Sequence, residues 1–190
     1  GIIYPIEMGW QWGGGWLSAA GFSDFAGSTL VHGAGGAAAL AGAIVLGPRL
    51  GRYDNGKLVP FASSSIPLAT AGTFILWFGW FGFNGGSQLA MGTFDDVNAV
   101  GTIYINTNLA AAGGVLTAAV ITRLWKGKTD VVMMLNGALG GLVAITAEPL
   151  APTPGLAIMI GAAGGVVIVF GTELLNNLKI DDVVGAIPVH

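Results

Sequence analysis

Charge is absent from five long stretches of this chain: residues 25–48, 58–94, 97–122, 131–147 and 149–172 contain no Asp, Glu, Lys or Arg. Such stretches cannot form a water-facing surface, and a helix needs about 20 mostly apolar residues to cross a bilayer. Only 9% of the 190 residues are charged and 53% are hydrophobic, against about 25% charged in an ordinary soluble domain. A soluble globule, a disordered chain and a nucleic-acid binder with its basic face are excluded. The runs are too long for barrel strands and do not alternate. An all-α, polytopic integral membrane protein remains. The chain has no cysteine, which excludes disulfides, thiolate catalysis and Cys-based metal sites. Its 33 glycines have no collagen period and suit helices that approach closely in lipid.

The pattern predicts spans near 26–48, 64–86, 98–122, 131–147 and 154–176, and a further, truncated helix over 183–190, all in one transmembrane domain over 1–190. Residues before 20 read as the end of an earlier span followed by an irregular Gly13-Gly14-Gly15 stretch. With no start Met and no basic leader region, and with an end inside a newly apolar segment, the chain reads as a piece of a longer protein.

The loops check the spans independently. All seven cations fall in three places: Arg49, Arg52 and Lys57; Arg123, Lys126 and Lys128; and Lys179. The predicted spans put these on one side and Glu7, Asp24, Asp95, Asp96 and Glu148 on the other. Positive loops mark the cytoplasm, so residue 26 lies outside, residue 50 inside, and the chain alternates from there. The expected location is a cell membrane, plasma or inner, crossed several times. Trp10, Trp12, Trp16, Trp77 and Trp80 fall near outer ends and Trp125 near an inner end, the places of an interfacial aromatic belt.

An internal repeat points to the centre of the membrane. Asp24-Phe-Ala-Gly27-Ser-Thr-Leu-Val31-His32 aligns with Asp182-Val-Val-Gly185-Ala-Ile-Pro-Val189-His190, both reading D-x-x-G-x-x-x-V-H. The first copy runs inward from the outer face and the second outward from the inner face, the mark of an inverted-topology repeat. Each His lies eight residues beyond its Asp, about 12 Å along a helix. Two such penetrations of a core about 30 Å thick nearly meet. His32 and His190 are the only histidines in the chain. Ionisable groups at that depth mark pathways, and imidazole handles protons near neutral pH. Asp24 precedes a helix, where its carboxylate can cap free amides.

Trp12-Gly-Gly-Gly-Trp-Leu-Ser with Asp24–His32, Gly79-Trp-Phe-Gly-Phe-Asn-Gly-Gly-Ser87, and Asp181-Asp182-Val-Val-Gly-Ala-Ile-Pro-Val-His190 together resemble the ammonium transporter (Amt/Mep/Rh) family. The resemblance covers nearly the whole chain and corresponds to spans five to nine and the start of the tenth in an eleven-span subunit. It implies a homotrimer with one path per subunit, ammonium or ammonia as substrate, and a PII-type cytoplasmic signal protein as a partner. It implies that Trp12 and Ser87 bind the cation at an outer vestibule, by a cation–π contact and a hydrogen bond. Phe83 becomes a gate ring, His32 and His190 the pore pair, and Asp24 an electrostatic support. Phe83 and Ser87 are four apart and share a helix face. Ser28, Val183 and Pro188 depart from the family pattern. The second gate phenylalanine is expected upstream of residue 1, so residues 1–190 alone are not expected to transport.

Two other readings remain open. A sensor would use a transporter-like domain to report ammonium to a signalling partner. A haem-binding membrane protein would use the two histidines as axial ligands, but it leaves the Trp12 and Phe83–Ser87 blocks unused. The transport reading needs no cofactor and no metal. An enzyme is not expected, because no nucleophile is placed beside the histidines.

Overall fold

A computed structural model describes all residues, Gly1–His190. Helix α1 (Ile3–Gln11) leads through the glycine stretch to a short α2 (Trp16–Ala19). A π-helical turn (Ser28–Gly33) runs directly into α3 (Ala34–Leu46). The long helices α4 (Ile66–Gly86), α5 (Phe94–Lys126), α6 (Val131–Thr146) and α7 (Pro154–Asn177) follow, and α8 (Ala186–Val189) ends at His190. Ser28–Leu46, α4, α5 and α7 are long and apolar enough to cross a membrane, whereas α6 has 16 residues.

The charge-free run 97–122 underestimates α5 at both ends. Thr93 and Asp96 form a reciprocal capping box, Asp95 and Asp96 lie in the first turn, and Arg123 and Lys126 lie in the last. Acids at a helix N-terminus and bases at its C-terminus complement the helix dipole. The charges that mark the edge of the apolar run therefore extend the helix. The helices of the repeat differ the other way. They begin at Ser28 and Ala186, later than the expected 26 and 183, because Gly27 (φ 103°) and Gly185 (φ 84°) turn the chain just before them. The loop after α3 also holds a minimal hairpin, β1 (Tyr53–Asp54) with β2 (Lys57–Leu58). Its turn residues Asn55 and Gly56 both have positive φ, as a two-residue hairpin turn requires.

Helices α5, α6 and α7 form the packed centre, and small residues make that possible. A Cβ added to Gly137 would lie 2.6 Å from the Gly114 carbonyl oxygen, and one on Gly164 would lie 2.5 Å from that of Gly140. The backbones thus touch where apolar side chains have no water to escape from, so close packing and not hydrophobic exclusion holds the helices together. Around this centre Trp80, Ala111, Leu142, Val143, Ile168 and Val189 form one buried cluster that joins α4 to α8. At the cation-bearing end Lys126 of α5 pairs with Glu173 of α7, and Arg49 and Arg52 gather on Asp181.

Candidate functional site: two half-helices and a histidine pair

The first half-helix is built around Asp24, whose side chain is buried. One carboxylate oxygen accepts from the amides of Gly27 (3.0 Å) and Ser28 (2.8 Å), the other from those of Thr29 (2.8 Å) and Leu30 (3.0 Å). These are the donors that a helix start leaves without intrahelical partners. Asp24 therefore caps the turn from outside it, with Gly27 standing between. The same loop is pinned to the end of α6. The Phe25 and Ala26 amides donate to the carbonyls of Ala147 (2.8 Å) and Thr146 (3.1 Å). Ser28 Oγ donates to the Val143 carbonyl (2.8 Å), which gives a use to one departure from the family pattern.

The second half-helix repeats the design around Asp182. Its carboxylate accepts from Val184 (3.4 Å), Gly185 (3.0 Å), Ala186 (3.0 Å) and Ile187 (2.7 Å). Residue 188, which aligns with Leu30, is proline and has no N–H to give. Pro188 lies within the first turn of α8, where that loss breaks no helix bond.

The two turns bring the histidines together. His32 Nδ1 lies 3.1 Å from His190 Nδ1, and the rings are nearly parallel, with centroids 5.1 Å apart. An Nδ1···Nδ1 hydrogen bond requires one ring to donate and the other to accept. The neutral pair then carries N–H on one Nε2 and a lone pair on the other. His32 is 8% exposed, and its Nε2 is buried with no partner in the chain. Helix turns begin only four residues before each histidine, so the meeting depends on the loops as much as on helical rise.

Aromatic rings enclose His32. Trp80 stacks on it at 4.8 Å and Phe83 tilts against it at 5.4 Å. Trp80 is buried, and its indole N–H donates to Thr146 Oγ1 at 2.8 Å. It is therefore a wall of the histidine site and not part of an interfacial belt. The spacing Trp80–Phe83–Ser87, which places all three on one helix face, is the sequence signal for it. Thr146 carries no such signal, since a threonine at the end of an apolar helix is unremarked until its neighbours are known.

Trp12 is tied to this site through the backbone. Its Nε1 donates to the Asp24 carbonyl at 2.8 Å, and the residue is 41% exposed. Ser87 caps the end of α4, where its hydroxyl donates to the Phe83 carbonyl at 2.8 Å. His32, His190 and Phe83 thus stand together and Trp12 joins Asp24, while no hydrogen bond joins Ser87 to Trp12. At the cation-bearing end Arg49 embraces Asp181 through Nε (2.7 Å), Nη2 (2.8 Å) and its own amide (3.0 Å). Arg52 Nε adds an ion pair at 3.2 Å without hydrogen-bond alignment. The Arg49 hydrogen bonds outweigh burial and hold the Asp181 carboxyl down to about 2.

Half-helices from opposite ends, joined by their histidines inside a bundle of apolar helices, define a polytopic membrane protein with an inverted repeat, an architecture of transporters. The profile of the Ammonium Transporter Family matches residues 1–190, and the chain belongs to that family. It is 48% identical to a putative ammonium transporter of Synechocystis, covering all of this chain and 43% of that protein. It is also 48% identical to the ammonium transporter Amt2 of Archaeoglobus fulgidus, covering 42% of it. Among solved structures, a sensor Amt protein superposes with a TM-score of 0.93 at 42% identity, over all of this chain and 48% of the other. Candida albicans Mep2 superposes with a TM-score of 0.85 at 33% identity, over 41% of its chain. The chain thus spans less than half the length of these relatives.

Proposed function

We propose that the full-length subunit carries ammonium nitrogen across a cell membrane, capturing ammonium at an outer mouth and passing ammonia along a narrow pore, with no enzymatic step. The single observation that carries this reading is the histidine pair at the junction of the repeat. Joined through Nδ1, the two imidazoles leave one Nε2 donor and one Nε2 acceptor for a species that both gives and takes hydrogen bonds. Ammonia and ammonium do both between them. Potassium, close to ammonium in size, can neither donate nor lose a proton, so hydrocarbon walls penalise it.

The other residues take roles in line with their geometry. Trp12, anchored by its indole N–H and partly exposed, offers its ring as a cation–π surface. The Ser87 hydroxyl spends its proton on the Phe83 carbonyl and keeps oxygen lone pairs for an N–H donor. Phe83 lies between Ser87 and His32 and acts as the gate. Asp24 holds the first half-helix and adds a negative field without touching substrate. Assembly as a homotrimer belongs to the same proposal. The test is uptake of ammonium or methylammonium by the full-length protein in cells that lack their own transporters. Uptake equal in the parent and in a Trp12→Leu, His32→Ala double variant overturns it.

A sensor is the second reading, and the 42% identity to a sensor Amt protein favours it. A sensor binds ammonium with no net uptake, so tryptophan quenching by ammonium in a protein that does not transport would select it.

A further inference from the structure

Helix α6 has only two polar side chains, Asn136 and Thr146, in the sequence Val-Val-Met-Met-Leu-Asn-Gly-Ala-Leu-Gly-Gly-Leu-Val-Ala-Ile-Thr. Both residues meet the inverted repeat, and they meet it at the same repeat position. Two residues beyond Asp24 stands Ala26, whose amide donates to the Thr146 carbonyl at 3.1 Å. Two residues beyond Asp182 stands Val184, whose carbonyl accepts from Asn136 Nδ2 at 3.0 Å.

The two contacts differ for a physical reason. At its outer end α6 stops, and its last carbonyls have no intrahelical partner. Its main chain can therefore hold the first turn unaided. Asn136 lies inside the helix, where the backbone polar groups are already paired along the ladder. Only a side chain can reach out from there. An amide in an otherwise apolar helix supplies the missing donor.

The turn that Asn136 holds is the one that aims His190. Gly185 bends the chain with φ 84°, and a Cβ there would meet the Asn136 amide group. Asp182 takes the N–H groups on one side of this turn, and Asn136 takes the carbonyl on the other. Since Pro188 withholds the last amide that the first copy gives to Asp24, the second copy has the weaker carboxylate cap and the greater need of another anchor.

We propose that Asn136 is a positioning residue for His190: it fixes the turn at Val184–Gly185 and so sets the distance between the two imidazoles. α6 then acts as the rod that spaces the two turns. The inference deepens the transport reading and rests on it. It is tested in the full-length protein with Asn136→Asp, nearly isosteric but without an N–H donor, and Asn136→Leu, which adds no charge near Asp182. Two measurements are made: ammonium uptake kinetics per assembled subunit, and the His32–His190 Nδ1 separation in a high-resolution structure of each variant. The expected result is a maximal rate lowered at least about fivefold with an unchanged half-saturating concentration, because capture at Trp12 and Ser87 is untouched. The Nδ1 separation should widen beyond hydrogen-bond range. Parent kinetics with the 3.1 Å pair retained overturn the proposal. So does a variant with a lowered melting temperature and both kinetic constants changed, which is general destabilisation. If neither variant assembles, Asn136→Ser, which is too short to reach Val184, takes their place. A parent that takes up no ammonium refutes the transport reading instead, and the Nδ1 separation still decides the role of Asn136.

Discussion

His32 and His190 are 158 residues apart in the chain, and their Nδ1 atoms are 3.1 Å apart in space. A hydrogen bond at that distance couples the two rings, because the tautomer of each depends on the other. His32→Ala and His190→Ala should each lower ammonium uptake by the full-length protein at least about tenfold. The double variant should be little worse than either alone, as for groups that act together. Uptake rates normalised to protein in the membrane check this.

The two carboxylate caps are not equal. Asp24 holds four amides at 3.0 Å or less, whereas Asp182 holds three in that range and one at 3.4 Å. Asp24→Ala leaves four amide donors without their acceptor, of which those of Gly27 and Leu30 are buried, and each buried donor left unpaired costs about 1–3 kcal/mol. It should lower the melting temperature of the purified full-length protein more than Asp182→Ala does. Thermal unfolding in detergent, followed by intrinsic fluorescence, makes the comparison.

Thr146 holds Trp80, and Trp80 forms one face of the His32 site. Thr146→Val keeps the shape but leaves the indole N–H buried without an acceptor, at a cost of about 1–3 kcal/mol. Uptake should fall several-fold, while Thr73→Val, which removes a hydroxyl bonded only within its own helix turn to the Ala69 carbonyl, should change it little.

Gly36 of α3 lies against the end of the second half-helix, where an added Cβ would stand 2.7 Å from the His190 carbonyl carbon. The His190 carbonyl oxygen and Cβ lie at 3.1 and 3.3 Å, and none of these three atoms is the far end of a flexible side chain, so one backbone must move. Gly36→Ala should separate the histidines and lower uptake at least about fivefold, with expression little changed. A structure of the variant measures the shift directly.

The Arg49–Asp181 clamp joins the end of α3 to the start of the second repeat copy. Asp181 is held at about 2 in the folded protein and ionises at about 4 when unfolded. A depressed carboxyl adds stability that is complete above about pH 4 and is lost as pH falls through about 2. The melting temperature of the parent should therefore exceed that of Asp181→Asn at neutral pH, and the difference should close on acidification across that window.

Much of the architecture is legible in the residues themselves. Apolar runs require helices because a bilayer offers backbone groups no other partners. The sorting of cations into three loops orders the helices, and a D-x-x-G-x-x-x-V-H motif written twice in opposite directions points to paired half-helices. What pattern could not supply are relations between distant segments. Trp80 looks like an interfacial tryptophan until Thr146 and His32 are seen beside it, and Asn136 looks incidental in α6 until Val184 approaches it. The length of α5 escaped a charge-based boundary because its terminal charges stabilise the helix they end. Local chemistry thus determined which segments are helical and which residues are costly to bury. Only the tertiary structure decided which buried groups satisfy one another, because hydrogen bonds across 40 to 160 residues depend on how the helices cross, and that is set by where glycines let backbones touch.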